Sequence, residues 1–202
     1  GSVNVSAIDE YKEVSERYEF MSEQIGDVEK SKAELIRLID DLTTKMSVQF
    51  REQFQKINVA FGETFAELFG GGKAELVLED EMNVLECDIE IKVQPPGKNV
   101  QNINLLSGGE KGLSAIALLF AILKVNPAPF CIFDEVEAAL DDNNVYRFAD
   151  YIKKYSKKTQ FIVVTHRRGT MEAANILYGV TMQEKGVSAL VSVNLIQEEL
   201  DK

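Results

Sequence analysis

Cysteine is scarce in this chain: Cys87 and Cys131 are the only two in 202 residues, far apart and without metal-ligand spacing. That pattern argues against a disulfide framework or a zinc motif, and buried, reduced thiols in a cytosolic protein are expected. Positive charge is also in deficit. Against 33 acidic side chains stand 22 Lys and Arg, a formal net charge of -11, whereas a surface that grips nucleic acid by itself needs clustered cations that release counterions. Lys153, Lys154, Lys157 and Lys158 form one local basic cluster, read as a solvated helix end. Long apolar runs are missing too. The longest, "AIALLFAILKV" from Ala115, is interrupted by Lys124 and falls well short of the roughly 18 residues of a membrane span, so no membrane partner is expected. No secretory leader is visible, and Gly1-Ser2 reads as a cloning scar, so a piece cut from a longer protein is expected. With 45% hydrophobic and 27% charged residues, the chain has the composition of one folded domain plus an extension, which excludes wholesale disorder.

What is present begins with a periodic strip. Apolar residues recur at Tyr11, Val14, Tyr18, Met21, Ile25 and Val28, then at Leu35, Ile39, Leu42 and Met46. Steps of three and four alternate, which is a heptad seam of about five repeats. Polar residues fill most of the other positions, so the remaining faces are wet. Two readings stay open: an amphipathic helix lying on its own domain, or a coiled-coil arm whose partner strand is missing. A strip roughly 54 Å long would overhang a domain of this size and favours the arm. Beyond Met46 the apolar positions are Phe50, Phe54, Ile57, Phe61, Phe65 and Leu68, and two consecutive steps of four mark a stutter. The phenylalanine-rich end is expected to enter a globular core. "FGGGK", ending at Lys73, stops the helix with residues that tolerate the left-handed conformation. The expected organisation is a scar at 1–2, an arm and neck helix over 3–69, and a globular lobe over 70–202.

"AELVLED" and "ECDIEIKVQ" alternate in the manner of strands, and "PPGKN" opens an ordered loop after them. The later pattern predicts a helix over 108–124, a strand over 129–134, a helix over 142–155, a strand over 159–165, a short helix over 168–174, and strands over 176–183 and 187–195. Strands alternating with helices imply an α/β sheet core, mostly parallel at its centre.

Three places carry candidate chemistry. In "PAPFCIFDEVEAALDD" an apolar strand delivers Asp134 and Glu135 at its carboxyl end, where open α/β sheets place their ligands. Acids also end many strands as solvated turns or helix caps. In "LLSGGEKGLSAIALLF" the turn Ser107-Gly108-Gly109 stands directly before a helix, and backbone amides there form an anion site. A serine N-cap with glycines serving only the turn is the plainer alternative. In "FIVVTH" another apolar strand ends at His166, the chain's single histidine. A lone histidine is commonly structural, yet one at this strand end can reach the same phosphate.

In that order and spacing the motifs resemble the second half of an ABC-type ATPase head. "LSGGE" (Leu106, Ser107, Gly108, Gly109, Glu110) is similar to the ABC signature motif and "PFCIFDE" to a Walker B strand. "ALD" (Ala139, Leu140, Asp141) is similar to the D-loop, and His166 to the switch histidine. The strings "GEKGLSAIALLFAILKVNPAPFCIFDEVEAALDDNNV" and "QFIVVTHRRGTMEAANILYGVTMQEKGVS" are close to the C-terminal head lobe of bacterial SMC chromosome-condensation proteins. The resemblance implies that Asp134 holds magnesium, through water, and that Glu135 activates the attacking water. It further implies that the signature turn caps the γ-phosphate of ATP held by a facing head. Gly112 and the amide-rich "LDDNN" are small departures from the family pattern.

No G-x-x-x-x-G-K-[ST] sequence occurs anywhere in the chain. In the family that loop lies in an N-terminal lobe beyond two coiled-coil arms and a hinge, which accounts for the unpaired heptads. ATP and Mg2+ are therefore expected only together with that lobe, and the chain alone is expected to be inactive. The implied partners are the N-terminal head lobe, a second SMC head in a homodimer, the kleisin ScpA, and DNA through the whole complex. The implied role is chromosome condensation and segregation in the cytoplasm, at the nucleoid. Two other functions compete. One is a kleisin-binding scaffold that uses "ILYGVTM" and "ALVSVNLI", strands more simply read as core; the other is an ABC-type DNA-repair ATPase with similar arms.

Overall fold

The computed structural model describes residues 6–194, so Leu195 of the last predicted strand, the end of "ALVSVNLI", the first residues of the predicted arm and the C-terminal end of the predicted lobe lie outside the described residues. Among those described, no helix is long and apolar enough to cross a membrane. The chain divides into two compact units, Gly1–Arg51 and Glu52–Lys202. A single helix, α1 (Ser6–Phe69), runs through the division.

Within the first unit the seam residues Tyr11, Val14, Tyr18, Met21, Ile25, Val28, Leu35, Ile39, Leu42 and Met46 are all exposed. Burial of an apolar face, rather than propensity, supplies most helix stability in proteins. The seam is an uncovered apolar face along the helix.

In the second unit the phenylalanine-rich end of α1 enters the core as expected, with Phe61, Phe65 and Leu68 buried. The helix closes where the Gly71 N–H donates to the Ala66 carbonyl at 2.8 Å, and Gly70, Gly71 and Gly72 all have positive φ. Strand β1 (Lys73–Leu78) follows at once. It pairs antiparallel with β2 (Ile89–Gln94), which starts later than the sequence pattern predicted because Glu86 and Cys87 turn back onto the Asn83 carbonyl. The loop expected after "PPGKN" contains a third strand, β3 (Gln101–Asn102), paired with Lys92 and Val93, and a 3-10 turn over Ile103–Leu105. A two-residue strand is too short to leave a periodic signal.

Helix α2 (Gly108–Val125) then crosses the core. After it come β4 (Phe130–Asp134), α3 (Asp142–Tyr155), β5 (Gln160–Val164), the short α4 (Arg168–Glu172), and a hairpin of β6 (Ile176–Glu184) and β7 (Val187–Asn194). Phe120 on α2 is the hub. Its ring meets Phe133, Phe148, Tyr151, Tyr155 and Phe161, joining α2 to both parallel strands and to α3.

Among the described residues the expected mostly parallel sheet is one pair: β4 and β5 are parallel, while the other two sheets are antiparallel. Runs such as "PFCIF" and "QFIVV" are apolar on both faces because they are built for a doubly covered sheet. Here one face is covered, with Phe133 buried and Cys131, Phe161 and Val163 packed against the core, while Phe130, Ile132, Ile162 and Val164 on the other face are exposed. The two cysteines are free thiols and half-buried rather than fully buried.

Candidate functional site

The carboxyl ends of β4 and β5 lie side by side, with Asp134 in register with Val164. Directly after β4 the backbone of Glu135 takes φ 48, the one positive φ at a non-glycine residue among those described. Such a conformation costs about 1–3 kcal/mol and persists only where its surroundings hold it. Here the Glu135 N–H donates to the Val164 carbonyl at 2.9 Å. The kink carries the Glu135 side chain across the strand ends, and His166 Nδ1 lies 3.3 Å from Glu135 Oε1. Both side chains are exposed. Asp134, also exposed, occupies the last position of β4. Among the described residues no three metal-ligating side chains gather. Magnesium keeps several waters and takes one or two carboxylates besides phosphate oxygens, and Asp134 presents an exposed carboxylate.

The signature turn is built as a capping box. Ser107 caps α2, its hydroxyl accepting from the Glu110 N–H and donating to Glu110 Oε2 at 2.7 Å, while the Ser107 N–H donates to the same carboxylate at 3.2 Å. Lys98 donates to both Glu110 oxygens, at 2.8 and 3.0 Å. The Lys98 ammonium, and after it the Ser107 hydroxyl, hold the Glu110 carboxyl below its ordinary pKa. A Cβ at Gly108 would meet nothing within 4 Å, while the Ser107 and Glu110 amides are already taken up inside the capping box.

Leu106 packs against the core beneath this turn. Gly109 abuts the D-loop: a Cβ on it would come 3.4 Å from the Ala139 carbonyl and 3.9 Å from Asp141 Oδ2. Gly112 faces Leu140 and Ala139 at ordinary contact distance. Asp141 caps α3, its two oxygens accepting from the backbone and side-chain amides of Asn144 at 2.9 and 2.8 Å. The unusual amides of "LDDNN" therefore have a use.

Sequence reasoning passed over four residues. Glu137 is fully buried, and its Oε1 accepts from the hydroxyls of Thr165 and Thr170. Arg167 donates to the Leu140 carbonyl at 3.0 Å and to Asp142 Oδ1 at 2.9 Å. An acid set inside the apolar run "VEAAL" was the available signal. These bonds tie the switch strand to residues 137–142, and Gly109 and Gly112 tie the same segment to the signature helix. Of the basic cluster, Lys154 is taken up by Glu67 at 2.9 Å, while Lys153, Lys157 and Lys158 are exposed.

Comparison with known proteins gives one consistent picture. A family model described as "RecF/RecN/SMC N terminal domain" matches residues 8–189. The chromosome partition protein Smc of Bacillus subtilis (strain 168) is 57% identical over 195 residues, covering 96% of this chain and 16% of that protein. The chain thus spans about a sixth of such a relative. A chain solved in work on the structural biochemistry of ATP-driven dimerization and DNA stimulated activation of SMC ATPases is 47% identical, with a TM-score of 0.68 over 74% of this chain and 90% of that one. The Smc head domain with an extended coiled coil, bound to the C-terminal domain of ScpA derived from Pyrococcus furiosus, is 40% identical, with a TM-score of 0.70 over 94% of this chain and 48% of that one. The fold is accordingly the mixed α/β, ABC-type fold of those ATPase heads, with a coiled-coil helix.

Proposed function

We propose that this chain, which belongs to the RecF/RecN/SMC N terminal domain family, is the C-terminal head lobe of an SMC chromosome-partition protein with its adjoining arm, and supplies half of a split ATPase site. The observation that carries this reading is the Glu135–His166 pair at 3.3 Å beyond the ends of two parallel strands. The description of the matching family refers to an N-terminal domain. The motifs of this chain favour the other lobe: it has the signature turn, the Asp-Glu strand and the switch histidine, and no phosphate-cradling G-x-x-x-x-G-K-[ST] sequence.

With the N-terminal lobe holding ATP, Asp134 is the residue that would hold magnesium. The ion's chemistry is to neutralise charge developing on the phosphates. Glu135 takes a proton from the attacking water, and His166, beside it, reaches toward the γ-phosphate. Ser107, Gly108 and Gly109 present the α2 N-terminus to the nucleotide of a second head, so ATP joins two heads in a homodimer and hydrolysis releases them. DNA is engaged through the whole complex at the nucleoid.

A second reading, a docking lobe for the kleisin ScpA, is favoured by the β6–β7 hairpin. Its residues Tyr178, Val180, Met182, Leu190, Val191 and Val193 are exposed rather than core.

The test combines light scattering with ATP turnover for the chain mixed with its matching N-terminal lobe. The chain alone should be inactive and the mixture active; Glu135→Gln should trap dimers, and Ser107→Arg should prevent them. Associated lobes without turnover or nucleotide-dependent dimers would overturn the ATPase reading and leave the scaffold.

A further inference from the structure

We propose that Glu137 is a positioning residue for the split ATPase site: its buried carboxylate locks the switch-histidine strand to the D-loop, so that Glu135 and His166 are held as one unit. The inference rests on the ATPase reading for its catalytic consequence, but its structural basis stands apart from it.

Glu137 lies two residues after Glu135 in the turn that leaves β4 and is fully buried. Oε1 accepts from Thr165, the residue before His166, and from Thr170 on α4 at 2.9 Å. Oε2 is buried with no hydrogen-bond partner among the described residues. Leaving a carboxylate oxygen so is costly, and an apolar side chain of similar volume would avoid the cost. A role in holding geometry explains why the cost is borne. Thr165 in turn accepts from the Arg167 N–H at 2.9 Å, and the Arg167 guanidinium binds the Leu140 carbonyl and Asp142. The residues on both sides of His166 are thus anchored to the segment 137–142, while His166 itself stays exposed. Gly109 lies close to the same segment, where a Cβ on it would come 3.4 Å from the Ala139 carbonyl. The bracket therefore joins the switch strand, the D-loop and the signature helix. It also supplies the over-determination that the left-handed Glu135 backbone requires.

Two measurements test this. In the chain by itself His166 is the only histidine, so the imidazole NMR cross-peaks report its placement directly. One set of signals, displaced from those of free histidine, is expected. Glu137→Ala and Thr165→Val should move it toward the free values, and Glu137→Gln, which keeps an acceptor for both threonines, should move it much less. Spectra of the folded Ala and Val variants that match the wild type would overturn the proposal. In the head assembled with its N-terminal lobe, Glu137→Ala should lower kcat between roughly tenfold and a hundredfold, as displaced catalytic groups do, with KM for ATP unchanged within about twofold. In a Glu135→Gln background, the Glu137→Ala change should leave ATP-dependent dimers intact. Arg167→Gln, at the half-buried end of the bracket, should lower kcat in the same sense without leaving a core cavity. Loss of turnover in Glu137→Gln as deep as in Glu137→Ala, or an unaltered kcat in Glu137→Ala, would overturn the role. If the wild-type head fails to hydrolyse ATP while the NMR shifts appear as stated, the ATPase reading falls and the bracket remains.

Discussion

Asn58 and Leu76 are joined by two hydrogen bonds that imitate a strand pair: Asn58 Oδ1 accepts from the Leu76 N–H at 2.7 Å, and Asn58 Nδ2 donates to the Leu76 carbonyl at 3.1 Å. β1 is the edge of its sheet, and an edge strand exposes backbone groups that need partners. The neck end of α1 supplies them through one amide. Asn58→Leu removes both partners at a half-buried site and should cost about 1–3 kcal/mol, read as a shift in the urea midpoint. Asn58→Asp keeps the acceptor but sets a carboxylate against the Leu76 carbonyl, so it should not restore stability.

Acid should loosen the signature turn through Glu110. Lys98 and Ser107 hold its folded pKa below the ordinary 4.5. The stabilisation is therefore fully present above that value and is lost as the pH falls through the lower folded pKa. Lys98→Met removes the larger cause. Thermal melts from about pH 7 to about pH 3 should show a wild-type advantage that is flat near neutrality and closes below the ordinary carboxylate value. An advantage that persists at the acid end would rule out the ion pair as its source.

Two glycines in the helix stop should respond differently to alanine. Gly70, at φ 73, has nothing within 4 Å of a would-be Cβ, so Gly70→Ala should cost only the left-handed penalty of about 1–2 kcal/mol. At Gly72, φ 89, the Cβ would lie 2.3 Å from the Gln94 carbonyl and 3.2 Å from the Phe65 ring. Overpacking adds about 1–3 kcal/mol to the backbone strain, and Gly72→Ala should be the more damaging by that margin in chemical denaturation.

The parallel pair offers a contrast between core and interface. Phe120→Ala empties the centre of the aromatic cluster and should destabilise the second unit by about 3–5 kcal/mol. Ile132→Ser and Ile162→Ser, on the exposed face, should stay within about 0.5 kcal/mol in the chain alone. On the reading of a split head, both should weaken association with the N-terminal lobe in a titration. If Ile132→Ser leaves that association untouched, the exposed face is not where the lobes meet.

The sequence by itself determined the elements whose cause is local. A heptad repeat in apolar spacing marks α1, the glycines at 70–72 end it, Ser107 with Glu110 spells a capping box, and apolar runs ending in Asp134 and His166 mark β4 and β5. Each of these depends on residues a few positions apart, so a one-dimensional reading captures it. Only the tertiary structure decided what depends on distant neighbours. Among the described residues it set two parallel strands side by side and packed one face of them on the core. It paired β3, too short to show a period, and turned "ILYGVTM" and "ALVSVN" outward. It also brought Glu137 to Thr165 and Thr170, and Arg167 to Leu140. Such contacts join residues roughly thirty positions apart, and they exist only once β4 and β5 lie in register. Pairing and packing, not pattern, chose them.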